Sequence, residues 1–236
     1  MNIRQALAIV TALLLLAGCG KRQDDTSAAP AEMISAAGKS SHRRLVDQAF
    51  DPNSADARRE GIVELCQEDW ALREPFLKGY AALARDSEPI VRSMAVSALG
   101  RAGDEAYLAV LLEALERDPV EYVRVDAAEA LSSVRGDAAI GPLCRHARQD
   151  ASIDVRLRCI RALAHYPRKD VLQTLLACLV DEEFGVRWTA RQALCALTGR
   201  DAAYDVAGWS RCLAGEDPFA RPAAPARRSW WPFGGS

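Results

Sequence analysis

The amino-acid sequence predicts an all-α chain, a solenoid of about five stacked helical hairpins, and three observations point there. Half of the 236 residues are apolar yet only 6% are aromatic, a balance that suits closely packed helices. A string of six matched positions recurs four times, with periods of 32, 32 and 31 residues. Inside every copy the apolar residues fall at helical rather than strand spacing.

The first element reads as an export signal. Arg4 precedes an uncharged, mostly apolar run from Ala6 to Gly18, shorter than the roughly 17 to 25 residues that a membrane-spanning helix needs. The run closes Leu16-Ala17-Gly18-Cys19, which resembles the lipobox of bacterial lipoproteins. That resemblance implies a signal peptide over 1–18, cleavage before Cys19 and a lipid on its sulfur. The small side chains of Ala17 and Gly18 suit a protease cleft. The two or three acyl chains of such proteins anchor stably where a single one holds weakly. The expected location is the cell envelope, on the periplasmic side of a membrane. Gly20 in place of an inner-membrane retention aspartate tilts the choice toward the outer membrane.

Residues 19–41 are polar and small, with no period that could bury a face, and are predicted to form a lipidated flexible tether. The solenoid is assigned to 42–216. Its markers are the pairs Val91-Arg92, Val123-Arg124, Val155-Arg156 and Val186-Arg187, with Asp86, Asp118, Asp150 and Asp181 at six residues before each arginine. At three, six and seven residues after it stand Ala95, Ala98 and Leu99, then Ala127, Ala130 and Leu131, then Cys159, Ala162 and Leu163, then Ala190, Ala193 and Leu194. These offsets lie along one stripe of a helix, and the small residues let a neighbouring helix approach. The aspartates stand where a helix cap is wanted, and Pro119 suits a first helical position.

After a break at Gly103, Gly136 or Pro167, a second helix follows in each unit. Its marks are Leu111, Leu112 and Leu115, then Leu143, Cys144 and Ala147, then Leu175, Leu176 and Leu179. A diverged first unit is read around Arg59, with Ile62, Leu65 and Cys66 at the matched offsets, Asn53 for the aspartate, and a second helix over Trp70–Ala84. A last helix carries Val206, Trp209, Cys212 and Leu213.

The recurring Asp, Val-Arg, Ala, Ala-Leu string, over about Leu45 to Gly215, resembles the HEAT repeats of bacteria, particularly the short type found in phycobilin lyases. The resemblance implies a right-handed solenoid whose second helices line a concave surface. It further implies a buried structural ladder, in which Asp86, Asp118, Asp150 and Asp181 interact with Arg92, Arg124, Arg156 and Arg187.

Residues for chemistry are sparse. No phosphate loop, Gly-x-Ser-x-Gly turn, Cys-x-x-Cys pair or His-Glu dipeptide occurs, so neither a metal nor another cofactor is expected. His146 and His165 are read as solvated. The six cysteines beyond Cys19 (Cys66, Cys144, Cys159, Cys178, Cys195 and Cys212) are read as free, buried thiols, with one bridge as the alternative, because packed helices hold alpha carbons farther apart than a disulfide prefers. If the chain were an enzyme or an enzyme subunit of the lyase type, Cys144, Cys178 and Cys212 on second helices would be its reactive groups.

Binding surfaces are the better-supported expectation. On the second helices Glu113 is predicted to face Arg145, and Glu116 to face Arg148. Residues 217–236 carry Pro218, Pro222, Pro225 and Pro232 and are expected to lack regular structure. There Trp230, Trp231 and Phe233 follow Arg221, Arg227 and Arg228, a pairing that suits a membrane interface, an acidic polymer or a protein partner. A formal net charge of -2 offers no general attraction to nucleic acid. The sequence therefore predicts a membrane-anchored, non-enzymatic scaffold for unidentified protein partners, with an envelope-structural role for the aromatic tail as a further alternative.

Overall fold

A computed structural model describes residues 31–214. The signal sequence, Cys19 and the tail carrying Trp230, Trp231 and Phe233 lie outside the described residues.

Twelve α-helices and no strands make up the described chain. They are α1 (Ala31–Ala37), α2 (Ser40–Ala49), α3 (Ala55–Leu65), α4 (Phe76–Leu83), α5 (Pro89–Ala102), α6 (Leu108–Arg117), α7 (Glu121–Ser133), α8 (Ile140–Gln149), α9 (Ile153–Leu163), α10 (Lys169–Cys178), α11 (Phe184–Thr198) and α12 (Val206–Leu213). Single 3-10 turns at Asp69–Ala71, Glu105–Tyr107 and Asp137–Ala139 lead into α4, α6 and α8. The hairpins α3/α4, α5/α6, α7/α8, α9/α10 and α11/α12 are the five units, and the chain is an all-α solenoid.

Each first helix packs on the first helix of the next unit, and each second helix leans on the first helix that follows it. The sequence stripe is the reason. Val91, Ala95, Ala98 and Leu99 are buried, and so are their counterparts in α7, α9 and α11. The next position, Val96, Ala128 and Ile160, is buried as well, so the inward face is wider than the matched string. Gly103 and Gly199 end α5 and α11 in the left-handed conformation, at φ 70° and 67°, which closes a helix without Cβ strain.

Three local readings are corrected. First, α1 and part of α2 occupy the stretch read as tether. Met33 and Ala37 lie one turn apart and are buried, so α1 has a face to bury. Second, the ladder arginine of the first unit is Arg58 rather than Arg59, and its aspartate is Asp51 rather than Asn53. Arg58 Nη1 donates to the Asp51 carbonyl at 2.9 Å and the Asn53 N–H donates to Asp51 Oδ1 at 2.8 Å, bonds the other units repeat. In this register Gly61, Ile62 and Leu65 are the buried counterparts of Ala95, Val96 and Leu99. Third, the aspartates do not cap their helices directly. Each carboxylate accepts the N–H two residues on, at 2.9 Å for Glu88, Val120, Ser152 and Glu183, and that later residue is the N-cap. Pro119 accordingly precedes α7, and Pro89 holds the first helical position of α5.

Candidate interaction surface

The ladder fixes how the units are stacked, so the surfaces begin with it. Each arginine from Arg58 to Arg156 reaches in two directions. Its Nη1 donates back to the carbonyl of its own unit's aspartate, as Arg92 does to Asp86 O at 2.9 Å and Arg156 to Asp150 O at 2.9 Å. Its other edge meets the aspartate of the following unit. Arg58 pairs with Asp86 at 2.8 Å, Arg92 with Asp118 at 2.7 Å, Arg124 with Asp150 at 2.9 Å and Arg156 with Asp181 at 3.3 Å. Arg187 donates to the Asp181 and Glu182 carbonyls at 2.7 and 2.8 Å.

Arg58, Asp86 and Asp150 are buried, the Asp86 side chain to 1% exposure, and the other rungs are half-buried. The planar guanidinium suits the role, because its fork fits a carboxylate in two-point contact. Burial alone would raise the Asp150 carboxyl. Hydrogen bonds from Arg124, the Ser152 N–H and His146 overcome that and hold it down at about 2.

His146 is thus no solvated residue. Its Nδ1 lies 2.9 Å from Asp150 Oδ2 and its side chain is 15% exposed, so it is part of the ladder. His165 is exposed, as expected.

A second set of contacts, unmarked in the sequence string, joins neighbouring first helices. Ser93 donates to Asp126, Ser152 Oγ to Glu121 at 2.6 Å, and Arg158 to Glu129 at 2.7 Å.

The charged pairs on the second helices exist in a shifted register. Glu113 pairs backward with Arg85 at 2.5 Å rather than with Arg145, and Arg145 pairs with Glu116. Among the described residues no carboxylate lies within 4 Å of the exposed Arg148. Arg145 thus meets the preceding second helix three positions, about one turn, from where equal offsets put it, and Arg85 stands just past the end of α4. A cleft of about 340 Å³ beside the ladder is lined by Arg85, Arg92, Arg117, Asp86, Glu113 and Asp118; with both signs present it offers no field for a ligand of one charge.

Exposed apolar side chains are the more pronounced surface feature. Ile90, Tyr122, Ile153 and Phe184 are exposed and stand in the first turns of α5, α7, α9 and α11. One thus opens each of four first helices that pack in succession, a row in the sense of one exposed residue per unit. Trp188, one turn beyond Phe184, and Tyr204, whose ring lies 6.3 Å from that of Phe184, enlarge the exposed surface at the last unit. These residues keep no fixed offset in the repeat: Ile90 and Tyr122 stand two residues before their arginines, whereas Ile153 and Phe184 stand three before.

The cysteines are free throughout the described chain. Cys66, Cys159 and Cys178 are buried, whereas Cys144, Cys195 and Cys212 are half-buried, which corrects the reading of all six as buried. Burial pushes the Cys66 thiol up to about 11 and the Cys178 thiol to about 12, and it raises Cys144 as well. Cys178 also directs its thiol at the Ala147 carbonyl, 3.5 Å away.

Stacked hairpins, an internal ladder and a long lateral surface define a class of protein, the helical-repeat solenoids. HEAT repeats match residues 43–132, 77–153 and 140–209, and the chain belongs to the HEAT-repeat family. Among curated proteins none matches it. Among solved structures it is similar to a chain from the complex of CpcE and CpcF of phycocyanin lyase from Nostoc sp. PCC7120, with 23% identity and a TM-score of 0.50 over 60% of this chain and 91% of that one. It is also similar to an engineered protein, with 16% identity and a TM-score of 0.53 over 74% of this chain and 89% of that one. Both likenesses concern the fold.

Proposed function

We propose that the protein is a lipid-anchored, non-enzymatic scaffold that holds a protein partner in the cell envelope, tethered through Cys19 to a membrane, the outer one where both exist. The observation that carries this reading is the row of Ile90, Tyr122, Ile153 and Phe184, which four stacked units present side by side. At helix spacings of roughly 8 to 10 Å such a row suits an extended protein surface better than a small molecule. Aromatic anchors in such a surface carry a disproportionate share of binding energy. The raised thiols of Cys144 and Cys178 favour a binding role over a lyase-like enzyme acting through them, since a protonated sulfur is a poor nucleophile.

The test is proximity labelling from the solenoid in intact cells, comparing wild type with the double variant Tyr122→Ser, Phe184→Ser. A specific neighbour labelled by wild type and lost by the variant supports the reading. Each aromatic truncation is expected to weaken that complex by about 2 kcal/mol, roughly 30-fold in Kd. Identical labelling patterns would remove the row from the proposal. The anchor is tested separately: Cys19→Ser should move the protein from the membrane fraction to the soluble one.

A further inference from the structure

Among the described residues the ladder stops one contact short at its last rung. Arg58, Arg92, Arg124 and Arg156 each spend Nη1 on their own unit and the opposite edge on the next unit's aspartate. Arg187 makes the first kind of contact through Nη1, and among the described residues no carboxylate meets its other edge. Beside it the last unit exposes Phe184, Trp188 and Tyr204, where the end unit of a solenoid ordinarily presents a polar outer face.

The next carboxylates in the chain are Glu216 and Asp217, just past the end of α12 at Leu213. Ladder aspartates stand at or shortly after the ends of second helices: Asp118 and Asp150 directly follow α6 and α8, while Asp86 and Asp181 come three residues after α4 and α10. The two candidates differ in one decisive respect. Every ladder carboxylate also accepts the N–H two residues on. For Glu216 that residue is Pro218, which has no N–H; for Asp217 it is Phe219, which has one. Asp217-Pro218-Phe219 moreover repeats the acid-proline-apolar order of Asp118-Pro119-Val120. From Arg187 to Asp217 the separation exceeds the 25 residues from Arg156 to Asp181. The excess fits the 15-residue length of α11 against 11 for α9 and the long connection before α12.

We propose that the open end of the ladder is a docking site for the chain's own C-terminal segment, with the Asp217 carboxylate on the free edge of Arg187 and Phe219 against the exposed aromatics of the last unit. The segment then starts from a fixed point, and the stretch from Ala220 to Trp231 can carry Trp230 and Trp231 no farther than about 43 Å from it. The site shares Phe184 with the partner-binding row, but the contact of Arg187 with Asp217 does not require that the row bind a partner.

Hydrogen exchange followed by mass spectrometry on the full chain in detergent tests it. The expected result is exchange at the Phe219 and Ala220 amides at least tenfold slower than in an unstructured peptide. Asp217→Asn and Arg187→Gln should each abolish that protection, the double variant should lose no more than either single one, and Glu216→Gln should leave it intact. Because Arg187→Gln also removes bonds within its own unit, circular dichroism and the untouched α12 of Asp217→Asn serve as fold controls. Peptide-like exchange in wild type overturns the proposal. So does loss of protection in Glu216→Gln alone, or protection that grows with protein concentration, which would assign the site to a second copy.

Discussion

Asp150 concentrates the electrostatics of the ladder on one carboxylate, which accepts from Arg124, from the Ser152 N–H and from His146. Its folded-state pKa of about 2 lies below the usual 3.9 of an unfolded aspartate. The group therefore contributes stability that is fully present above that unfolded value and is lost as pH falls through about 2. The linkage amounts to on the order of 2 kcal/mol. Urea unfolding between pH 6 and 2 should show this loss in wild type, and Asp150→Asn should flatten that part of the profile; parallel profiles would assign the acid sensitivity elsewhere. Burial decides what a pair is worth. Asp86→Ala strands the buried Arg58 and should cost about 3 to 5 kcal/mol, whereas Glu113→Ala breaks only the exposed pair with Arg85 and should cost less than about 1 kcal/mol. Thermal unfolding of the two variants compares them directly.

At the scale of helices, small residues set how closely the first helices approach. A Cβ on Gly100 of α5 would come within 2.5 Å of the Ala130 Cβ and 2.8 Å of its Cα, on α7. Backbone cannot move aside as a long side chain can, so Gly100→Ala should cost about 1 to 3 kcal/mol. Gly141, in the first turn of α8, has nothing within 4 Å of an added Cβ, and Gly141→Ala should stabilise by about 0.5 kcal/mol. Opposite signs in denaturant midpoints are the expected outcome. The helical stripe was legible in the sequence because close approach admits few residue types, and four copies of Val-Arg and Ala-Leu therefore survive in register. What escaped the reading has equally physical causes. Adjacent Arg58 and Arg59 made a loop longer by one residue invisible. Met33 and Ala37 are too few apolar residues to declare a helix without their neighbours. The exposed row obeys no fixed offset, since side chains facing solvent need not pack against the next unit.

For the whole molecule, stability is approximately a sum over units and the interfaces between neighbours, so cooperativity depends on the weakest interface. Between α7 and the start of α9 the joints are Arg124 with Asp150, Glu121 with Ser152 and Glu129 with Arg158, and His146 of α8 bonds to the same Asp150. Asp150→Ala removes the shared centre of this interface and leaves Arg124 without its carboxylate. Wild type should unfold in one transition along its length. In the variant, α1–α8 and α9–α12 should part, with amides in α9 and α11 exchanging at lower urea than those in α5 and α7. Coincident exchange in all four helices would show that apolar packing, rather than the ladder, couples the units. The same uncoupling reaches the proposed binding surface, because Tyr122 stands on one side of this interface and Ile153 on the other. A partner that spans the row needs both sides held in register. Asp150→Ala should therefore weaken its binding under conditions where each half remains helical by circular dichroism, although Asp150 itself is buried and offers a partner no contact.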